Sequence, residues 1–179
     1  MSDSDFLLKN VVTSDGTPID LEVREHRIAR IGNTLTSDLP SIDGDGAMVL
    51  PGLVDLHTHL REPGKENSET VLSGSQAAVK GGYTSLSAMA NTSPVADTAG
   101  VVEQVARLGK EAGLCDVFPI GAVTVGLKGE SLAELSAMAQ SAARVRIFSD
   151  DGNCIWLPST LRRINFCLNR PSGRRLFAL

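Results

Sequence analysis

Two histidines one residue apart, in His57-Thr58-His59, are the residues best placed to do chemistry. In an extended strand, side chains at i and i+2 point to the same face. The two imidazoles then converge on one point, which suits a metal ion that takes nitrogen ligands. The bland alternative is a pair of histidines on an exposed strand end. Arg61 lies two residues beyond His59, and its planar fork suits a carboxylate held by two parallel hydrogen bonds, unless it simply pairs with Glu62. Asn91 could donate to the same carboxylate or could be a turn residue ahead of Pro94. Asp150-Asp151-Gly152 supplies two carboxylates, although this tripeptide is also a common turn. His26, the one remaining histidine, lies far from these residues in sequence and reads as a surface residue.

These residues need a scaffold, and the pattern around them describes one. Phe6-Leu7-Leu8, Ile19 to Val23 and Arg27 to Ile31 read as short strands separated by turn residues such as Asp15-Gly16 and Gly32-Asn33. From Met48 the pattern changes. Met48 to Leu56 reads as a buried strand with an interruption at Pro51-Gly52. Residues 68–80 have helical composition, ended by Gly81-Gly82. Thr84 to Ala90 is a strand of small residues. Asp97 is the expected N-cap of a helix to Ala112, with Gly113 past its end. Val117 to Val123 is a strand, Glu130 to Ala143 a helix, and Val145 to Phe148 a fourth strand. Strands alternating with helices imply βαβ units and a parallel sheet. Four such units are half of an eight-fold barrel, which takes roughly 250 residues; only residues 48–179 are available here. Such a half barrel would leave one sheet face without cover, exposing Val145 or Ile147 according to register.

Composition narrows the class. Hydrophobic residues make up 42% and charged residues 21% of the 179 positions, as in ordinary soluble globular proteins. The net charge of −4 provides no basic field for nucleic acid or an anionic membrane. No apolar run approaches the ~18 residues of a spanning helix. The acidic start, Met1-Ser2-Asp3-Ser4-Asp5, lacks the basic region of a signal peptide, so the expected compartment is the cytoplasm. Cys115, Cys154 and Cys167 are too scattered for a disulfide framework or a paired-cysteine metal site. After Asp151 the composition shifts: no acidic residue and no lysine, but Arg162, Arg163, Arg170, Arg174, Arg175 and the only tryptophan, Trp156. This stretch reads either as a basic tail or as sequence foreign to the preceding domain.

Pro51-Gly52-Leu53-Val54-Asp55-Leu56-His57-Thr58-His59-Leu60-Arg61-Glu62-Pro63-Gly64 resembles the signature of the cyclic amidohydrolases, and its Arg-Glu-Pro-Gly ending resembles the dihydroorotase family. Met89-Ala90-Asn91-Thr92-Ser93-Pro94 resembles that family's second block, with Ala90 where proline is common. Phe148-Ser149-Asp150-Asp151-Gly152 resembles the third. The resemblance spans residues 6–153 and implies the N-terminal half of a (β/α)8 TIM-barrel amidohydrolase fold. Residues 1–47 would form part of a small β-sandwich, 48–152 the first half of the barrel and 153–179 an atypical tail. It also implies a site with two Zn2+ ions. His57 and His59 would be zinc ligands. Asp151, the second of its pair, would be the bridging ligand where many relatives use a modified lysine, and Asp150 a supporting residue or cap. The substrate would be held by His59, Arg61 and Asn91. The implied reaction is the reversible cyclisation of N-carbamoyl-L-aspartate to L-dihydroorotate, with loss of water, in pyrimidine synthesis.

Other residues of the family site have no counterpart in this sequence. Two further histidine ligands and a proton-shuttling aspartate are expected after later barrel strands, yet no histidine follows His59 and no aspartate follows Asp151. The sequence therefore reads as a truncated or disrupted copy with no catalytic acid–base residue assigned, expected to be inactive alone. Two other readings stay open. One is an allantoinase- or hydantoinase-type enzyme, although Arg61 and Asn91 favour an acid substrate. The other is a non-catalytic partner of aspartate transcarbamoylase, although such proteins usually lose the histidine pair. A homo-oligomer is a further expectation.

Overall fold

The computed structural model describes residues 5–153, residue 155 and residues 177–178. The chain divides into two compact units, Met1–Pro51 and Gly52–Leu179.

In the first unit, alternating apolar residues build β1 (Phe6–Val12), β2 (Pro18–Arg24) and β3 (Arg27–Gly32), joined by the short β4 (Ser41–Asp43) in the order β3-β2-β1-β4. The β2–β3 loop is only Glu25-His26, and both residues have positive φ, as a type I′ hairpin turn requires. Neither residue type announces such a turn in the sequence. His26 is exposed there, as expected of a surface residue. Leu7, Val11, Leu21 and Leu39 form the small interior of this unit, while Ile28, Ile31 and Ile42 stay exposed. Met48 bridges Val12, and Val49 N donates to Val12 O at 2.8 Å. The expected strand from Met48 is thereby divided, with its first residues spent on this unit.

The second unit carries the parallel sheet β5-β6-β7, formed by Leu53–Thr58, Tyr83–Ala88 and Asp116–Pro119. Helices α1 (Val71–Lys80) and α2 (Ala99–Ala112) connect the strands. They cover one face through a cluster of Leu60, Val71, Leu86, Ala88 and Val105. Thr70 and Ser73 form a capping box on α1. Gly113 ends α2 at φ 64°, the left-handed conformation that glycine adopts without penalty. The N-cap of α2 is Thr98, not the expected Asp97, whose carboxylate instead accepts from Gly126 N at 2.8 Å. The strand expected to reach Val123 stops at Pro119: Ile120 N and Gly121 N still reach Ala88 O and Ile147 O, but beyond them the backbone bonds to loops, Ala122 N to Ala96 O and Val123 O from Ala133 N. The expected helix over residues 130–143 contracts to α3 (Leu135–Gln140), since Leu132 is drawn into an antiparallel bridge with Thr124.

The fourth strand position is β8, only Ile147–Phe148. It joins the sheet through the parallel bridge Gly121–Phe148 and pairs in parallel with β9 (Phe177–Ala178). A second cluster packs under it, built from Ala90, Val102, Ala122, Val123, Leu135, Met138, Val145 and Phe148. Of the two residues that register could leave uncovered, Val145 is buried, while Ile147 is half-buried and lines the open cleft. More exposed on the same side are Val54 and Leu56 on β5 and Phe118 on β7, at 57%, 56% and 55%. The apolar run of β5 is thus not a buried strand here. With Ser85 and Ser87, these residues line a cleft of about 280 Å³ on the face opposite the helices. Ile155, in the stretch after Asp151, packs against the second cluster. Trp156, Leu157 and Leu161 lie outside the described residues, as do Cys154, Cys167 and the five arginines. No helix among the described residues is long and apolar enough to cross a membrane.

Candidate metal centre

Parallel strands end together, and the ends of β5, β6 and β8 carry the predicted residues. Met89 N donates to Thr58 O at 2.9 Å, and Ile120 N to Ala88 O at 2.8 Å, which aligns neighbouring strand ends. His57 belongs to β5 and His59 follows it directly, so both imidazoles leave the same end, with ring centroids 5.1 Å apart. Asp151 meets them from the loop after β8. Its Oδ1 lies 3.2 Å from His57 Nε2 and 3.8 Å from His59 Nε2. One ligand atom from each of the three residues lies within 4.8 Å of the others.

The two adjacent aspartates do different work. Asp150 is 4% exposed. Its Oδ1 accepts from Val123 N at 2.9 Å and Thr124 N at 3.0 Å, and its Oδ2 accepts from Thr124 Oγ1 at 2.5 Å. Thr124 Oγ1 in turn accepts from Gly129 N at 2.9 Å. Asp150 thereby pins the loop after β8 to the segment following β7. Asp151, at φ 49°, then turns the other way and faces the histidines. A short polar side chain tolerates this left-handed conformation better than most residues do. Val123 and Thr124 were not identified from the sequence, since nothing local connects residues 26 or 27 positions away.

Asn91, in the loop after β6, touches both sides of the group. Its Oδ1 lies 3.0 Å from His59 Nδ1, and its Nδ2 donates to Asp151 Oδ2 at 2.5 Å. Arg61 stands in the loop after β5, at φ 59°. The alternative in which it pairs with Glu62 does not hold: Glu62 Oε2 accepts from Val71 N at 2.8 Å, at the first turn of α1. Among the described residues, Arg61 is in no ion pair. Its loop is docked on the Asn91 loop, with Ser93 N donating to Pro63 O at 2.9 Å. Gly64 makes this approach feasible: at φ 95°, a Cβ there would stand 1.9 Å from Ser93 O. The structure thus gathers His57, His59, Asn91 and Asp151, and places Arg61 nearby without a direct contact to them.

Two imidazole nitrogens and a carboxylate oxygen form a donor set suited to a borderline ion such as zinc, which in reactive sites takes three protein ligands and keeps a position open. Bonds of about 2.1 Å in a tetrahedron put ligand atoms roughly 3.4 Å apart, close to the 3.2 and 3.8 Å observed. The residues present therefore fit a metal ion. Among the described residues no other such group occurs.

The family described as Dihydro-orotase-like matches residues 46–160, more than half of the chain. Over 164 residues the chain is 59% identical to a dihydroorotase of Leifsonia xyli subsp. xyli, covering 91% of this chain and 37% of that protein. It is 56% identical over 161 residues to a dihydroorotase of Streptomyces coelicolor, covering 89% and 38%. The chain thus spans little more than a third of these relatives' length. Among solved structures, an L-hydantoinase (dihydropyrimidinase) from Arthrobacter aurescens aligns with TM-score 0.64 and 27% identity, over 82% of this chain and 32% of that one. A dihydroorotase crystal structure aligns with TM-score 0.58 at 16% identity, over 80% and 42%, a likeness of fold. From its blocks, its parallel sheet and these matches, the chain belongs to the dihydroorotase-like family and carries an N-terminal part of the amidohydrolase TIM-barrel fold.

Proposed function

We propose that this chain carries the N-terminal half of a dihydroorotase site, for the reversible cyclisation of N-carbamoyl-L-aspartate to L-dihydroorotate in pyrimidine synthesis. The observation that carries the reading is the convergence of His57, His59 and Asp151 at the C-terminal strand ends, where barrel enzymes place their chemistry. These three residues would hold zinc, with Asp151 as the bridge to a second ion in a complete site. When bound, zinc polarises an amide carbonyl and makes water acidic enough to act as a nucleophile near neutral pH.

The remaining roles belong to the chain's own side chains. Arg61, with no ion pair among the described residues, offers its fork to the substrate carboxylate. An amide nitrogen has two hydrogens, so Asn91 can give one to Asp151 and the second to the same carboxylate. His59 borders that space. An acid substrate of this kind distinguishes dihydroorotase from a hydantoinase. A cytoplasmic location and a partner, either a second copy or aspartate transcarbamoylase, complete the reading.

Zinc titration against a chromophoric chelator, run beside an activity assay, tests it. The chain should take up zinc at a site abolished by His57→Ala. It should show no measurable turnover alone, because a missing acid–base group typically costs about 10²- to 10⁴-fold and this sequence has no aspartate after Asp151. Failure to bind zinc would remove the basis of the proposal. Turnover near that of a full-length relative, lost in His57→Ala, would show that the site is already complete.

A further inference from the structure

Asn91 has both ends of its amide engaged, and this determines more than its own position. We propose that Asn91 is a positioning residue of the metal centre, which selects the histidine tautomer able to bind metal and holds the Asp151 carboxylate toward both imidazoles. This rests on the metal reading above.

The argument starts from Asp151. An ionised carboxylate only accepts hydrogen bonds. The Asn91 atom 2.5 Å from Asp151 Oδ2 must therefore be the nitrogen, which orients the amide chemically. Its oxygen is then the atom 3.0 Å from His59 Nδ1. An amide oxygen can only accept, so Nδ1 must carry a proton. In a neutral imidazole that leaves Nε2 unprotonated. Nε2 is the nitrogen facing Asp151 Oδ1, at 3.8 Å, and so the nitrogen that would bind metal. Histidine ligands generally need such a partner on the second ring nitrogen to set tautomer and ring orientation. The same amide restrains Asp151 Oδ2, leaving Oδ1 toward His57 and His59. One side chain in the loop after β6 thus couples ligands at the end of β5 and in the loop after β8.

The test uses the full chain, ¹⁵N-labelled at histidine and free of metal, at about pH 8, above the ordinary histidine pKa. Long-range ¹H–¹⁵N spectra, in solution or the solid state, report which ring nitrogen is protonated. Wild-type His59 should be protonated on Nδ1. Asn91→Ala should move His59 toward the Nε2-protonated form and weaken zinc binding by about 10- to 100-fold. Asn91→Asp keeps the acceptor but not the donor, so the His59 tautomer should survive while the tie to Asp151 is lost. Zinc uptake by a wild-type chain whose His59 is protonated on Nε2 would overturn this inference alone, as would an Asn91→Ala chain with unchanged tautomer and affinity. A wild-type chain that takes up no zinc overturns the metal reading itself. The wild-type tautomer is read without any variant, so a poorly folding Asn91→Ala leaves the test standing.

Discussion

Replacing the two adjacent aspartates separately should produce opposite defects. Asp150→Ala removes the acceptor for Val123 N, Thr124 N and Thr124 Oγ1, all at buried residues. A buried donor left unsatisfied costs about 1–3 kcal/mol. Allowing for relaxation and entering water, three donors sum to roughly 3–6 kcal/mol, a large part of a typical domain stability of about 5–15 kcal/mol. Asp150→Asn keeps one oxygen for the two backbone donors and sets its amide against Thr124 Oγ1, so about 1 kcal/mol should be lost. Asp151→Asn preserves the shape of a side chain that is 15% exposed and tolerates positive φ. It should change stability by less than about 1 kcal/mol while weakening zinc binding at least tenfold through loss of the anionic ligand. Urea unfolding followed by circular dichroism gives the first quantity and chelator competition the second. Equal losses of stability in Asp150→Ala and Asp151→Asn, or an Asp150→Ala chain as stable as the wild type, would refute this division of labour.

Gly64→Ala should cost several kcal/mol, because it combines positive φ with a Cβ 1.9 Å from Ser93 O, and proteolysis should then open the loop bearing Arg61. The open face bearing Val54, Leu56 and Phe118 should drive self-association, since burying roughly 200 Å² of apolar surface is worth about 5 kcal/mol; a monodisperse monomer in sedimentation, with one sharp thermal transition, would contradict it. In the first unit, Arg30 and then Arg24 hold the Glu22 carboxyl below its ordinary value of 4.5. A lowered folded-state pKa means that the stabilisation is present above the ordinary value and is lost as pH falls through the folded one. The difference in hydrogen-exchange protection of β1–β3 between wild type and Glu22→Gln should therefore shrink as pH drops below about 4.5.

Much of this molecule is legible in its sequence because the signals are local. Apolar alternation over residues 19–23 and 27–31 specifies β2 and β3, and the period-2 geometry of a strand brings His57 and His59 to one side. Gly113 marks the end of α2 because only a residue at ease with positive φ suits that position. The three blocks identify the family and the residues to watch. Tertiary structure decides what each polar group and apolar run meets. Asp97 carries the chemistry of an N-cap, yet Gly126, 29 positions on, claims it. Leu132 fits a helix pattern but is taken by Thr124. The apolar run of β5 predicts burial that only a second layer can supply, and its side chains stand exposed. Asp150 and Asp151 are the same residue type side by side. They diverge because one meets the backbone at Val123 and Thr124, and the other meets Asn91, 60 positions away in the chain. Such pairings follow from how strands and loops come together in space, which no local period in the sequence encodes.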